Sequence, residues 1–229
     1  MLNIADNLRR IKEEIVDTAL RYGRLPEEIK LVAVSKNFNS EFILKAYNCG
    51  QKVFGENKVQ ELCTKSIELS ELQIEWHMIG HIQSNKLKKA LNHSSFIHSI
   101  DSFELLKKAE NILQVLNKKV DFLLELNLSG EESKFGICNK DELFKICESI
   151  PEFKFMNFKG LMTMAPFTEN EIVQRKVFAG LRELRDEIQE KFGFTSLELS
   201  MGMSSDYKSA IAEGATILRI GTAIFGERK

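Results

Sequence analysis

Short β-branched runs alternate with amphipathic segments along the whole chain, and this alternation constrains the fold more than any other feature. The first strand-like run is KLVAVSK, starting near Lys30 after Pro26, and comparable runs follow at 52–56, 74–80, 96–101, 120–128, 158–165, 196–202 and 216–225. Runs of about five to eight such residues bounded by turn-formers signal buried strands. Helix-patterned segments cover the first 22 residues and lie near 40–48, 58–69, 85–91, 102–116, 141–149, 171–192 and 205–213. In the first, Leu2, Ile4, Leu8, Ile11, Ile15, Ala19 and Leu20 recur mainly at spacings of three and four, the period of one helical face. In the longest, Ile172, Val173, Val177, Phe178, Leu181, Leu184, Ile188 and Phe192 form one packing stripe.

Such alternation means parallel strands joined by right-handed helical crossovers, which leaves a doubly wound sheet or a closed eight-stranded barrel. Eight strands and eight helices are the barrel's count, and 229 residues fall within its usual range of about 200 to more than 400. A doubly wound sheet more often carries GxGxxG after its first strand, where this chain has AVSKNFNS. With three prolines and no Gly/Ser-rich stretch there is little material for a linker. The expected fold is a single α/β domain over residues 1–229, a (β/α)8 TIM-type barrel. The sequence stops at Gly226-Glu227-Arg228-Lys229 directly after the last strand-like run, so the amino-terminal helix is expected to stand in for the helix after strand eight.

A net charge of −1 supplies no basic excess for a phosphate backbone, which argues against general nucleic-acid binding. No run approaches the roughly 18 apolar residues of a membrane span, and the start MLNIADNLRRIKEE is charged from Asp6 onward, unlike a signal peptide. Cys49, Cys63, Cys138 and Cys147 form no CxxC pair and no zinc-ligand spacing, which points to a reduced, cytoplasmic compartment with Cys138 a free thiol.

In a parallel barrel the active face lies at the carboxyl ends of the strands. Those ends are polar here: Ser35-Lys36, Gly55-Glu56-Asn57, Gly80-His81, Asn127, Met162-Thr163-Met164, Ser200-Met201-Gly202 and Arg219-Ile220-Gly221-Thr222. Lys36 shares the face of Val32 and Val34, because side chains alternate along a strand. At a reference pKa of about 10.4, only about one amine in 2,500 is neutral at pH 7, and burial beside another cation raises that fraction. Arg219 is such a cation, set in the apolar run ILRIGTAIF with Gly221 on the same face. It demands either a barrel glutamate or a ligand. In LELSMGMSSDYKSAIAEG, a glycine and serines precede a helix beginning near Ser205, a composition that suits phosphate. Gly221 and Thr222 extend that site from the neighbouring strand, while a plain N-cap by Ser204 or Ser205 uses the same amides. His77 and His81 are four apart in WHMIGH, but the segment reads as a strand entering a turn, without the carboxylates of a metal site. No metal is expected, and His81 is placed at the mouth.

Eight segments carry a family resemblance: LVAVSK (31–36), FGEN (54–57), WHMIGHIQSNK (76–86), IHSIDS (97–102), LNLSGEESKFGI (126–137), KGLMTMAP (159–166), LSMGMSSD (199–206) and AEGATILRIGTAIFGER (212–228). Together the chain resembles the pyridoxal phosphate homeostasis proteins, the YggS-like group related to the barrel domain of bacterial alanine racemase. The resemblance implies pyridoxal 5′-phosphate as cofactor, held as a Schiff base with Lys36 and with Arg219 at the pyridine nitrogen. It also implies that Asn57 lines the pocket and that Ser200, Gly202, Met203, Ser204, Gly221 and Thr222 surround the phosphate. One departure is visible: the family commonly continues with a Thr-Lys-Pro-like stretch after the lysine, where this chain has Asn37-Phe38-Asn39, so contacts of that loop differ.

A permanently cationic arginine disfavours a protonated ring nitrogen and weakens the cofactor as an electron sink. Racemases of this architecture use a second domain with a catalytic tyrosine, and the sequence stops where that domain would begin. The resemblance therefore implies a cytoplasmic, monomeric homeostasis protein without catalytic residues. Such a protein buffers the cofactor or delivers it to apo pyridoxal-phosphate enzymes, with neither nucleic acid nor membrane as partner. Two alternatives stay open: a small racemase-like enzyme using His81 as acid or base, and a lysine aldolase acting on a sugar phosphate through Lys36.

Overall fold

The computed structural model describes residues 3–131 and 135–227. Its strands are β1 (Lys30–Val34), β2 (Val53–Glu56), β3 (Glu75–Met78), β4 (Phe96–Ile100), β5 (Val120–Glu125), β6 (Met156–Met162), β7 (Glu198–Ser200) and β8 (Ile217–Ile220). All pair in parallel with their chain neighbours, and β8 returns to β1 to close the barrel, with Lys30 opposite Ile217 and Val32 opposite Arg219. The helices are α1 (Ile4–Arg21), α2 (Ser40–Asn48), α3 (Val59–Glu68), α4 (Leu87–His93), α5 (Phe103–Leu116), α6 (Lys140–Ser149), α7 (Glu171–Phe192), α8 (Tyr207–Ala212) and α9 (Thr222–Phe225). Among the described residues, no helix is long and apolar enough to cross a membrane.

Strand alternation divides the apolar residues into two layers. Val32, Phe96, Leu123, Met162 and Ile217 form a cluster of their own inside the barrel. Ala33, Phe54, Ile97, Phe122, Leu124, Leu161, Leu199 and Leu218 belong to the larger cluster shared with the helices. Phe54 and Phe122 are wholly buried there, and truncating either to alanine costs about 3–5 kcal/mol. The first helix starts where the Asn3 side chain accepts hydrogen bonds from the amides of Ala5 and Asp6, and it buries Ile4, Leu8, Ile11, Ile15 and Ala19. That face packs against α2, α8 and α9, in the gap between the last and first crossover helices.

The expected position of the amino-terminal helix therefore stands, but two details are corrected. The run 216–225 is not one strand: it is strand only over Ile217–Ile220, and Thr222–Phe225 is a helical turn closed by the Ile224 and Phe225 amides on the Gly221 carbonyl. A short helix thus does follow strand eight, because an apolar run interrupted by glycine satisfies either geometry until its packing is known. The stripe expected along α7 is narrower as well. Val177, Phe178, Leu181 and Ile188 are buried, whereas Ile172 in the first turn is 79% exposed.

Candidate functional site

The turn that carries Lys36 is anchored from below by a buried ion cluster. Lys65, on α3, donates to the Ser35 carbonyl (2.9 Å), to Glu56 Oε1 (2.7 Å) and to Glu61 Oε2 (2.9 Å). The Ser35 hydroxyl donates to the same Glu56 oxygen at 2.6 Å, and the Asn37 amide to Glu61 Oε2 at 2.8 Å. Residues on both sides of Lys36 are therefore fixed, and Asn37 takes a left-handed φ of 66° that reverses the chain. Burial raises the Glu56 carboxyl above the ordinary carboxylate range even with Lys65 beside it, and its Oε2 has no hydrogen-bond partner. Glu61 shifts the other way: burial opposes ionisation, but Lys65 and the Asn37 amide outweigh it.

Arg219 enters from β8, only 4% exposed, with Nη1 on the Ser200 hydroxyl (2.5 Å) and Nη2 on the Thr163 carbonyl (3.0 Å). Burial lowers its pKa to about 10, which leaves it cationic at neutral pH. Glu125, at the end of β5, answers it electrostatically, yet burial pushes that carboxyl up to about 7 and leaves its Oε2 unpartnered.

The loops after β7 and β8 are tied together. Ser204 Oγ accepts from the Ala223 amide at 3.2 Å, and the Met203 amide donates to Asp206 Oδ1 at 2.5 Å. Gly202 holds this loop in place from behind. At φ 96°, a Cβ there would stand 2.7 Å from Ala210 Cβ and 3.0 Å from Leu218 Cδ2. At Gly221 a Cβ would come within 3.1 Å of the Val34 carbonyl, so that glycine lets the two strand ends approach.

These elements surround a cavity of about 390 Å³. Lys36, Asn57, Met203, Ser204, Arg219, Gly221 and Thr222 line it, together with Val34, Met164 and Ser205, which the sequence reading set at the strand ends and helix start without a binding role, and Ile79 and Phe167, which it did not single out. Ile79 continues the inward-facing register of Glu75 and His77, so strand alternation could have found it. Ser200 and Gly202 lie behind the lining: Ser200 is bonded to Arg219, and Gly202 packs on α8 and β8. His81 lies outside it, its Nδ1 3.0 Å from Asp101 Oδ2 and its ring stacked on Phe135. His77 points into the barrel rather than toward His81, and no group of three or more potential metal ligands occurs among the described residues.

Residues 3–229 match the family described as "Alanine racemase, N-terminal domain". The "Pyridoxal phosphate homeostasis protein" of Aquifex aeolicus is 43% identical over 230 residues, covering 100% of both chains. This chain belongs to the pyridoxal phosphate homeostasis protein family. The protein of that name from Pseudomonas aeruginosa is 36% identical over 228 residues, which is 100% of this chain and 97% of that one. Among solved structures, PipY of Synechococcus elongatus without PLP superposes with a TM-score of 0.89 at 36% identity, covering 98% of this chain and 100% of that one. PipY with PLP bound superposes at 0.85 and 35% identity, with the same coverage. An alanine racemase of Clostridium difficile, 17% identical with a TM-score of 0.72, shares the fold.

Proposed function

We propose that this protein binds pyridoxal 5′-phosphate in the cavity between β1, β7 and β8 and serves its homeostasis, as a cytoplasmic, monomeric, single-domain carrier that buffers the cofactor and passes it to apo pyridoxal-phosphate enzymes. The observation that carries the reading is the convergence on one cavity of an amine, a buried guanidinium and a serine- and glycine-built loop pair. When bound, the cofactor supplies an aldehyde carbon open to an amine and an electron-withdrawing ring. In this reading Lys36 is the covalent anchor, Asn57 lines the ring's edge, and Arg219 faces the pyridine nitrogen. Met203, Ser204, Gly221 and Thr222 surround the phosphate, with Ser200 and Gly202 supporting them from behind. A buried cation at the ring nitrogen opposes its protonation, so the site favours holding the cofactor over stabilising carbanions.

The racemase-like alternative needs a second proton-transfer group beside the cofactor. His81 is engaged by Asp101 and Phe135 outside the cavity lining, so the binding reading is preferred. The test is the visible absorption spectrum of the protein mixed with pyridoxal phosphate, before and after borohydride, followed by peptide mapping. The expected result is an absorbance that borohydride abolishes, with the pyridoxyl label on Lys36. A label on another lysine, such as Lys134, which lies outside the described residues, overturns the assignment. Racemisation or α-deuterium exchange of an amino acid by the purified protein would favour the enzyme instead.

A further inference from the structure

A hydrogen-bonded chain runs through the barrel interior, from the mouth opposite the cavity up to Arg219. Lys30 and Glu75 are the first residues of β1 and β3, and Lys30 Nζ donates to Glu75 Oε1 at 3.1 Å. The same carboxylate oxygen lies 2.8 Å from His77 Nε2, and His77 Nδ1 lies 2.8 Å from His98 Nε2. His98 Nδ1 is 2.9 Å from Ser200 Oγ, which accepts from Arg219 Nη1. His77, His98 and Ser200 are wholly buried, so the links from His77 to His98, to Ser200 and on to Arg219 are formed away from water. Polar groups buried in this way are costly unless paired. An apolar filling of the same volume is often as stable, so the chain is not explained by stability alone.

The chemistry of its ends fixes its direction. A carboxylate can only accept, so His77 must present a proton on Nε2. The Nδ1 of a neutral His77 is then an acceptor, which requires His98 to donate from its own Nε2. That leaves His98 Nδ1 as an acceptor, so the Ser200 hydroxyl donates to it and turns its lone pairs toward Arg219, a group that can only donate. Reversing both rings sets a bare Nε2 against the carboxylate, reversing His98 alone sets two bare nitrogens face to face, and reversing His77 alone sets two N–H groups against each other. Burial holds both imidazoles below the ordinary histidine range, and the His77 hydrogen bond holds Glu75 at about 2. Neutral rings and an anionic end are what this assignment requires.

We propose that Glu75, His77, His98 and Ser200 are positioning residues for Arg219, a one-directional chain in which the Glu75 carboxylate fixes the tautomers of both histidines and so orients and polarises the Ser200 hydroxyl toward the guanidinium at the cavity. In a low-dielectric interior, successive hydrogen bonds polarise one another, so the Ser200 oxygen is a better acceptor than an isolated hydroxyl. The chain itself is independent of the cofactor; its consequence for binding rests on Arg219 serving the pyridoxal phosphate site proposed above.

The test begins with the ligand-free, full-length protein labelled with 15N-histidine. Removing the two histidines outside the chain, with His81→Asn and His93→Asn, leaves only His77 and His98 to observe. Both should show a protonated Nε2 and a bare Nδ1 at neutral pH. Glu75 sits at the partly exposed mouth, so Glu75→Leu removes the accepting end with little disturbance of packing. It should mix the tautomers of both rings and shift the Arg219 side-chain signals, while Glu75→Gln, which keeps an accepting oxygen, should preserve the tautomers. Glu75→Leu should also weaken pyridoxal phosphate about tenfold, the scale of one hydrogen bond to a charged group. An Nδ1–H tautomer or an imidazolium in the parent protein overturns the proposal. So do unmoved His98 and Arg219 signals, or unchanged affinity, in Glu75→Leu. Intact chain signals in a parent protein that does not bind pyridoxal phosphate uphold the chain and count against the cofactor reading.

Discussion

The Lys65 ammonium donates to the main-chain oxygen of Ser35 across 2.9 Å and so pins the residue immediately before Lys36. Because Lys65 is also the counter-charge of the wholly buried Glu56, the amine's position and the local stability depend on one side chain. Lys65→Met should destabilise the protein by about 3–5 kcal/mol, the usual consequence of leaving a buried charge unpaired. Glu56→Gln added to it should recover part of that loss. Urea unfolding of the two variants checks both statements, and a Lys65→Met protein as stable as its parent would remove the anchor from the account.

The phosphate is expected to supply much of the affinity. If hydroxyls and amides of the loops after β7 and β8 hold it, pyridoxal without phosphate should bind roughly 10²- to 10⁴-fold more weakly, from two lost charge-assisted bonds of about 1.5–3 kcal/mol each. Thr222→Val should reproduce part of this loss for the phosphorylated ligand and none for pyridoxal. Equilibrium titration of both ligands decides it, and equal affinities for the two would move the phosphate elsewhere.

Gly202 tests packing rather than charge. Its φ of 96° and the 2.7 Å approach to Ala210 Cβ mean that even Gly202→Ala introduces strain and a clash. The expected loss of stability is about 1–3 kcal/mol, visible as a lower melting temperature without ligand. An alanine variant melting like the parent would contradict the geometry.

Glu125 should make stability fall as pH rises. Its carboxyl is raised to about 7 in the folded chain from an ordinary 4.5, so between those values the folded state binds more protons than the unfolded one. The penalty is absent below pH about 4.5, grows through the interval, and reaches on the order of 3 kcal/mol above pH 7. Glu125→Gln should consequently raise the melting temperature at pH 8 and leave it nearly unchanged at pH 4.5. Thermal scans at the two pH values suffice, and equal effects at both would show that burial does not govern this carboxyl.

The barrel was legible because strand and helix periods differ and each change of period is marked by turn residues, as at Pro26 before KLVAVSK. Strand ends were less so: 216–225 read as continuous because ILRI and AIF are equally apolar on either side of Gly221-Thr222. Lys36 and Arg219 stood out as charges inside apolar strands, and both line the cavity. What surrounds them was hidden. The partners of Arg219, Ser200 and the Thr163 carbonyl, come from other strands, and the close packing that makes Gly202 a glycine is a tertiary fact. His77 drew notice for its spacing to His81, whereas its contacts are Glu75 and His98, a pairing that depends on barrel register.

The strands that present Lys36 and Arg219 are the first and the last of the barrel, joined edge to edge where it closes. A polypeptide emerging from a ribosome thus displays Lys36 early and acquires the Arg219, Gly221 and Thr222 side of the cavity only when β8 seats. A fragment cut before β8 would keep Lys36, Asn57, Met203 and Ser204 but lose Arg219, Gly221 and Thr222, the whole side of the cavity that closure of the barrel brings to the amine.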